Sequence, residues 1–217
     1  DGGYRLGPRV AALVAEASLR HGAADAARPI IARLSAEVGE SAGFSVPEGD
    51  GSRLIAATNA RHPLVFVFSV GTILPLFATS SGKAILAHLP EDDLAAYLAR
   101  ESWQPLTPHT VRDAATLRAQ LAQARRDGIA YSHEERHPGI VGIAAAVLDE
   151  RRRPLGAVNV AMPTARFGAA ARIQVPEAVR QAAATLARRL CPDHAGRPVR
   201  KKAISAAESS AGRSSGT

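Results

Sequence analysis

Leu74-Pro75-Leu76-Phe77-Ala78-Thr79-Ser80-Ser81-Gly82-Lys83-Ala84 is the stretch on which the reading of this chain turns. Gly71 and Pro75 bracket a crossing loop. From Ser80 the pattern changes: Ile85, Leu86 and Leu89 recur at helical spacing, which predicts a helix over 80–89. Three hydroxyl residues and a glycine therefore sit at a helix start. Thr79 or Ser80 suits the N-cap, where a side-chain oxygen satisfies a first-turn N–H. The free N–H groups beyond the cap can hold a carboxylate or another anion. Ser81-Gly82-Lys83 is not a phosphate-binding loop, because the upstream glycine is missing. No Gly-x-Ser-x-Gly elbow surrounds either serine, so neither reads as a nucleophile.

Upstream, Pro8 suits the first position of a helix that Gly22 ends, with Val10, Leu13, Val14 and Ala17 at helical spacing. A second helix follows Asp25 and stops at Gly39, with Ile30, Ile31, Leu34 and Val38 on one side. Pro29 is tolerable there only near the first turn. Residues 41–47, 53–59 and 64–69 then have strand character, and Gly49-Asp50-Gly51 is a hairpin turn between the first two.

Downstream, Pro90-Glu91-Asp92-Asp93 opens a short helix, its acids complementing the helix N-terminus. Asp113 caps another, with Leu117, Leu121 and Ala124 facing inward and Gly128 at its end. Strands are predicted over 129–132, 141–148 and 154–160, and a last helix carries Val179, Ala182, Ala183, Leu186 and Leu190. Six strands joined largely by hairpins, with amphipathic helices to cover them, predict an α/β domain on a largely antiparallel sheet.

Composition narrows the class. Apolar residues are 46% of 217, enough for a core, but aromatics are only 4%, so that core is Ala, Val, Leu and Ile. A single cysteine, Cys191, excludes an internal disulfide framework and suits a reducing, cytoplasmic setting. No signal peptide and no bilayer-length apolar run is seen, so no membrane partner is expected. The net charge of +7 is concentrated: Arg197, Arg200, Lys201, Lys202 and Arg213 stand against Glu208 alone. That tail, from about 193 on, is expected to be disordered. The remaining charge is mixed and does not call for tight DNA binding by this portion.

The sharpest chemical string is His133-Glu134-Glu135-Arg136-His137, which has the spacing of a zinc-hydrolase motif. That chemistry needs a helix, so that both imidazoles face one metal. Here the string follows a predicted strand and runs into Pro138-Gly139. A polar loop with two solvated histidines is the expectation, and neither catalytic nor metal-binding residues are assigned. A standalone metal-dependent hydrolase and a purely structural dimerisation module are the alternatives to a sensing domain.

Taken in order, these segments resemble the effector-binding domain of the IclR family of bacterial transcriptional regulators. The resemblance runs from about Gly3 to Leu190. It opens on Gly3-Tyr4-Arg5-Leu6-Gly7, similar to the end of the family's DNA-binding wing, and continues through Ala36-Glu37-Val38-Gly39-Glu40-Ser41. Gly71 through Leu74-Pro75 to Gly82-Lys83-Ala84-Ile85-Leu86-Ala87 carries its most specific motif. Asp127-Gly128-Ile129-Ala130, then Glu134-Glu135, Pro138-Gly139 and Ile143-Ala144-Ala145-Ala146-Val147 follow.

The resemblance implies a GAF-like domain with a curved sheet, a sensor of small organic or aromatic acids, and no enzyme activity or cofactor. It implies homodimers or tetramers, and DNA contact through an N-terminal winged helix-turn-helix of which residues 1–22 hold the end and the linker helix. Residues 23–192 then form the effector-binding domain. The family's pocket positions fall on Ser80 and Ser81 at the helix start, Ser132 where an acid is common, Ile140 on an apolar wall, Gly142 at a Cys or Ser position, and Asn159 and Ala161 at two small hydroxyl positions. The missing acid and the added amide imply a site that donates hydrogen bonds to an anion. Gly142 and Ala161 imply room for a body bulkier than a two- or three-carbon acid.

Overall fold

The computed structural model describes residues 8–192. Residues 1–7, expected to end a DNA-binding wing, and the tail from 193, expected to be disordered, lie outside the described residues. Six strands form one sheet in the order β3-β2-β1-β6-β5-β4, every neighbouring pair antiparallel. They are β1 (Ser41–Glu48), β2 (Gly51–Thr58), β3 (Ile73–Pro75), β4 (Ala130–His133), β5 (Ile140–Leu148) and β6 (Pro154–Pro163). Two hairpin-linked halves meet where β1 pairs with β6, and this is the antiparallel α/β sheet expected.

The helices are α1 (Pro8–Val38), α2 (Ser80–Leu86), α3 (Glu91–Arg100), α4 (Ala114–Asp127) and α5 (Ala169–Leu190). The strands alternate between two cores, as a period of two requires. Val158, Val160 and Met162 of β6 pack with Ile31 and Leu34 of α1 and Val179 and Leu186 of α5. On the other face Ala144 and Ala157 pack with Ile85 of α2 and Leu117 and Leu121 of α4. Small residues on that face allow α2 to lie close to the sheet.

Two expectations fail upstream. α1 is one helix through Gly22, and Pro29 lies inside it. A helical glycine costs only about 1 kcal/mol relative to alanine, and Pro29 is exposed, so the carbonyl it deprives faces water. Buried Ala27, Ile31 and Leu34 hold the helix to the sheet on both sides of Pro29. The second failure is at 64–69, which is not a strand. Asn59 takes the backbone of Phe68 instead: its Oδ1 accepts from Phe68 N at 2.8 Å and its Nδ2 donates to Phe68 O at 3.2 Å. The third strand lies further on, at Ile73–Pro75, paired with β2.

Turn chemistry follows the sequence more closely. Gly49-Asp50 closes β1 onto β2, Gly49 at φ +56°. Asp113 caps α4 through Thr116 N, and Gly128 ends it at φ +68°.

Candidate ligand-binding site

α2 is placed by a close approach that only glycine allows. A Cβ on Gly82 would lie 2.2 Å from the Leu76 carbonyl oxygen. Thr79 is the N-cap: its Oγ1 accepts from Gly82 N at 3.1 Å and donates to Pro75 O at 2.7 Å. Ser80 and Ser81 are therefore the first two helical residues, where N–H groups lack intrahelical acceptors. Both serines line a cavity of about 230 Å³ between the start of α2, the ends of β4, β5 and β6, and the irregular segment before β3.

All seven residues expected at the pocket line this one cavity. Ile140 and Ala161 pack with Leu54 and Phe68 as its apolar floor. Asn159 is 4% exposed, and its Oδ1 has no hydrogen-bond partner. Ser132 faces the cavity, but its hydroxyl already donates to Ala78 O at 3.0 Å, so it ties β4 to the approach to α2. Gly142 corrects an expectation. A Cβ there would lie 2.7 Å from Ser80 Oγ, so its missing side chain makes room for Ser80 and not for a ligand.

Several lining residues lay outside that expectation. Phe66 and Phe68 form an edge-to-face pair with centroids 5.2 Å apart, and His137 lies 5.4 Å from Phe66. Arg136 also lines the cavity. Its Nε is buried without a hydrogen-bond partner, and burial pushes its pKa down. No carboxylate lines the cavity, so among the described residues nothing there offsets this charge. The signal was visible as a basic residue between the two histidines, but the metal-like spacing drew attention to its neighbours.

The same string is dismantled as a metal site. His133 ends β4 and stacks on Tyr131, centroids 5.6 Å apart, while His137 turns toward Phe66 and the cavity. Glu134, at φ +57°, accepts from Gly139 N at 2.7 Å. Glu135 is no surface acid: it is 5% exposed and ion-paired with Lys83, itself 2% exposed. Burial pushes both His133 and His137 below the usual histidine range, and the nearby Arg136 acts in the same direction on His137. Both histidines are nonetheless exposed, as expected of a polar loop, and His137 also lines the cavity.

Comparison with known proteins places this geometry. The chain is 36% identical over 166 residues to the HTH-type transcriptional regulator Rv1719 of Mycobacterium tuberculosis, covering 76% of this chain and 62% of that protein. It therefore spans less than two thirds of that relative's length. A transcriptional regulator from Rhodococcus sp. RHA1 shares the fold with a TM-score of 0.76 at 30% identity, over 86% of this chain and 76% of that one. An IclR homologue from Microbacterium hydrocarbonoxydans, solved with 4-hydroxybenzoate, aligns with a TM-score of 0.72 at 25% identity, over 86% of this chain and 75% of that one. Residues 16–188 match the family model of the bacterial transcriptional regulator IclR C-terminal domain, and the chain belongs to that family, whose members are regulators and not enzymes.

Proposed function

We propose that this chain is the ligand-sensing domain of a cytoplasmic IclR-type transcriptional regulator, and that its effector is a small organic acid with an aromatic or branched apolar body. The observation that carries this is Arg136, a cation facing a cavity that no carboxylate lines. An unpaired charge in a part-buried site is costly unless a ligand supplies the opposite sign. Ser80 and Ser81 add hydroxyls and first-turn N–H groups for the acid, while the unpaired Asn159 Oδ1, an acceptor, suits a hydroxyl donor elsewhere on the ligand. Leu54, Phe68, Ile140 and Ala161 supply the apolar lining that such sites combine with a few polar groups. A volume of about 230 Å³ favours a ligand below drug size. The 4-hydroxybenzoate bound by the Microbacterium hydrocarbonoxydans homologue has this chemistry.

An open cavity with orphaned polar groups argues against a purely structural module, whose pocket would be filled and dry. DNA contact belongs, on this proposal, to a winged helix-turn-helix joined through α1, and the assembly is a homodimer or tetramer. Calorimetric titration with 4-hydroxybenzoate, benzoate, branched aliphatic acids and their uncharged amides tests the effector class. Acids are expected to bind at least about tenfold more tightly than their amides, the effect of one charged hydrogen bond. Equal binding of acids and amides, or no binding of any acid, would overturn it.

A further inference from the structure

Residues 59–72 wall the cavity without forming a strand. Their ends touch the sheet backbone and β1, with Gly71 N donating to Leu54 O at 2.8 Å, Thr72 O accepting from Leu54 N at 3.0 Å and Ala60 N donating to the Ser41 hydroxyl at 3.0 Å, and three further side chains hold them. Asn59 holds the middle through Phe68, the one residue of 61–72 that is buried. Each part on either side also accepts from an arginine, Arg53 in β2 and Arg166 in the short helical turn Thr164–Arg166 that follows β6. Arg166 Nη1 donates to Leu64 O at 3.0 Å, and Arg53 Nη1 donates to Gly71 O at 2.8 Å.

Neither arginine ends there. Arg53 Nε donates to Glu48 Oε2 at 2.6 Å, and Arg166 Nη2 donates to Glu40 Oε2 at 2.7 Å. Glu48 also pairs with Arg20 of α1. Glu40 lies just past the end of α1, and its carbonyl accepts from the hydroxyl of Ser35 in α1 at 2.7 Å. Both ends of the wall are thus linked to α1 through the same arrangement, a carbonyl, a guanidinium and a carboxylate. The planar guanidinium fork suits this, since it can donate in two directions at once while remaining charged.

We infer that Arg53 and Arg166 are positioning residues of the cavity, clamping the two ends of its aromatic wall to α1 so that wall and helix move together. Isolated surface ion pairs contribute little to stability, but these are not isolated. The Glu40 side chain is 4% exposed, and Arg53 and Arg166 each hold both an ion pair and a wall carbonyl. The ligand-dependent half of the inference rests on the sensing function proposed above, and the ligand-free half does not.

Hydrogen exchange of the whole chain tests both halves. The variants are Arg53→Gln, and Arg166→Gln combined with Glu40→Gln so that no buried carboxylate is left unpaired. Without ligand, exchange of the Phe68 and Gly71 amides is expected to rise at least about tenfold in each, with a smaller rise across residues 20–38 of α1. Arg53→Lys keeps the charge but lacks the fork, so it should resemble Arg53→Gln. With 4-hydroxybenzoate, wild type should gain protection in both 64–72 and α1, whereas the variants should gain it in the wall alone. Wall exchange within about twofold of wild type in both variants, or full rescue by lysine, overturns the clamp. Undiminished protection of α1 by ligand in the variants overturns the coupling. If wild type binds no acid, the sensing proposal fails, and the ligand-free exchange of wall and α1 still decides the clamp and its link to the helix.

Discussion

Lys83 and Glu135, 52 residues apart in sequence, form an ion pair whose side chains are only 2% and 7% exposed. Lys83 is on the helix that presents Ser80 and Ser81, and Glu135 adjoins Arg136, so the pair joins two walls of the cavity. Thr110 and Thr107 reinforce the loop by donating to the carbonyls of Glu135 and Glu134 at 2.6 and 2.7 Å. Breaking a buried pair strands the remaining charge, whereas replacing both members by apolar groups is often neutral. Glu135→Gln or Lys83→Met alone should therefore cost about 3–5 kcal/mol, while Lys83→Met with Glu135→Leu should recover most of it. Urea denaturation checks this. A double variant as unstable as the sum of the singles would show that the two side chains contribute separately.

Arg136 has the opposite balance. Its charge is burdened by desolvation and has no ion-pair partner among the described residues. Arg136→Met should leave thermal stability unchanged or raise it. Affinity for an acid should fall by about 1.5–3 kcal/mol, the usual worth of a hydrogen bond to a charged group. Affinity for the matching amide should hardly change. Calorimetry with the acid and amide pair, alongside a melting curve, separates the two effects; a large loss of stability would mean that Arg136 serves the fold.

The sheet, its turns and the α2 motif were legible because period, caps and glycines are local signals. Gly128 and Asp113 act where their residue types predict. What was not legible depended on tertiary partners. Gly22 and Pro29 read as breaks, yet α1 runs through both, packed on the sheet on either side of Pro29. Residues 64–69 are a short apolar, β-branched and aromatic run with strand character, but Asn59 satisfies the backbone of Phe68 from a side chain. The positions expected at the pocket do come together, though their roles differ: Ser132 is spent on Ala78, and Gly142 on Ser80. Arg136 was hidden by the histidines on either side of it, since spacing shows which residues could share a metal and not where each side chain turns.

Acid should loosen the clamp at Glu48 late. The Arg53 hydrogen bond, with Arg20 and Arg53 charge, lowers the Glu48 pKa from 4.5 to about 2 against the opposing effect of burial. An acid whose folded pKa is depressed contributes stability that is complete above its unfolded pKa and is lost as pH falls through the folded one. The difference in melting temperature between wild type and Glu48→Gln should thus be constant above about 4.5 and close as pH falls toward about 2. Melting curves across that range check it. A difference that persists at pH 2 would assign the effect to something other than the ionised carboxylate.

Ser80 and Gly142 form a complementary pair, and Ala161 sets the depth of the cavity beside them. Gly142→Ala places a methyl 2.7 Å from Ser80 Oγ and must displace that hydroxyl. Overpacking costs about 1–3 kcal/mol, and the low end is expected here because the nearest atom ends a rotatable side chain; turning that hydroxyl away should also lower acid affinity. Combining it with Ser80→Gly removes the obstructing side chain and should restore stability, without restoring the hydrogen bond that Ser80 offers. Ala161→Phe acts differently. Ala161 is 5% exposed and borders the cavity with Leu54 and Phe68, so the added ring has about 230 Å³ of space to enter. The fold should survive, and acid binding should disappear. Titrating one panel of acids against the three variants decides the placement: if Ala161→Phe binds an acid as well as wild type does, the ligand lies elsewhere.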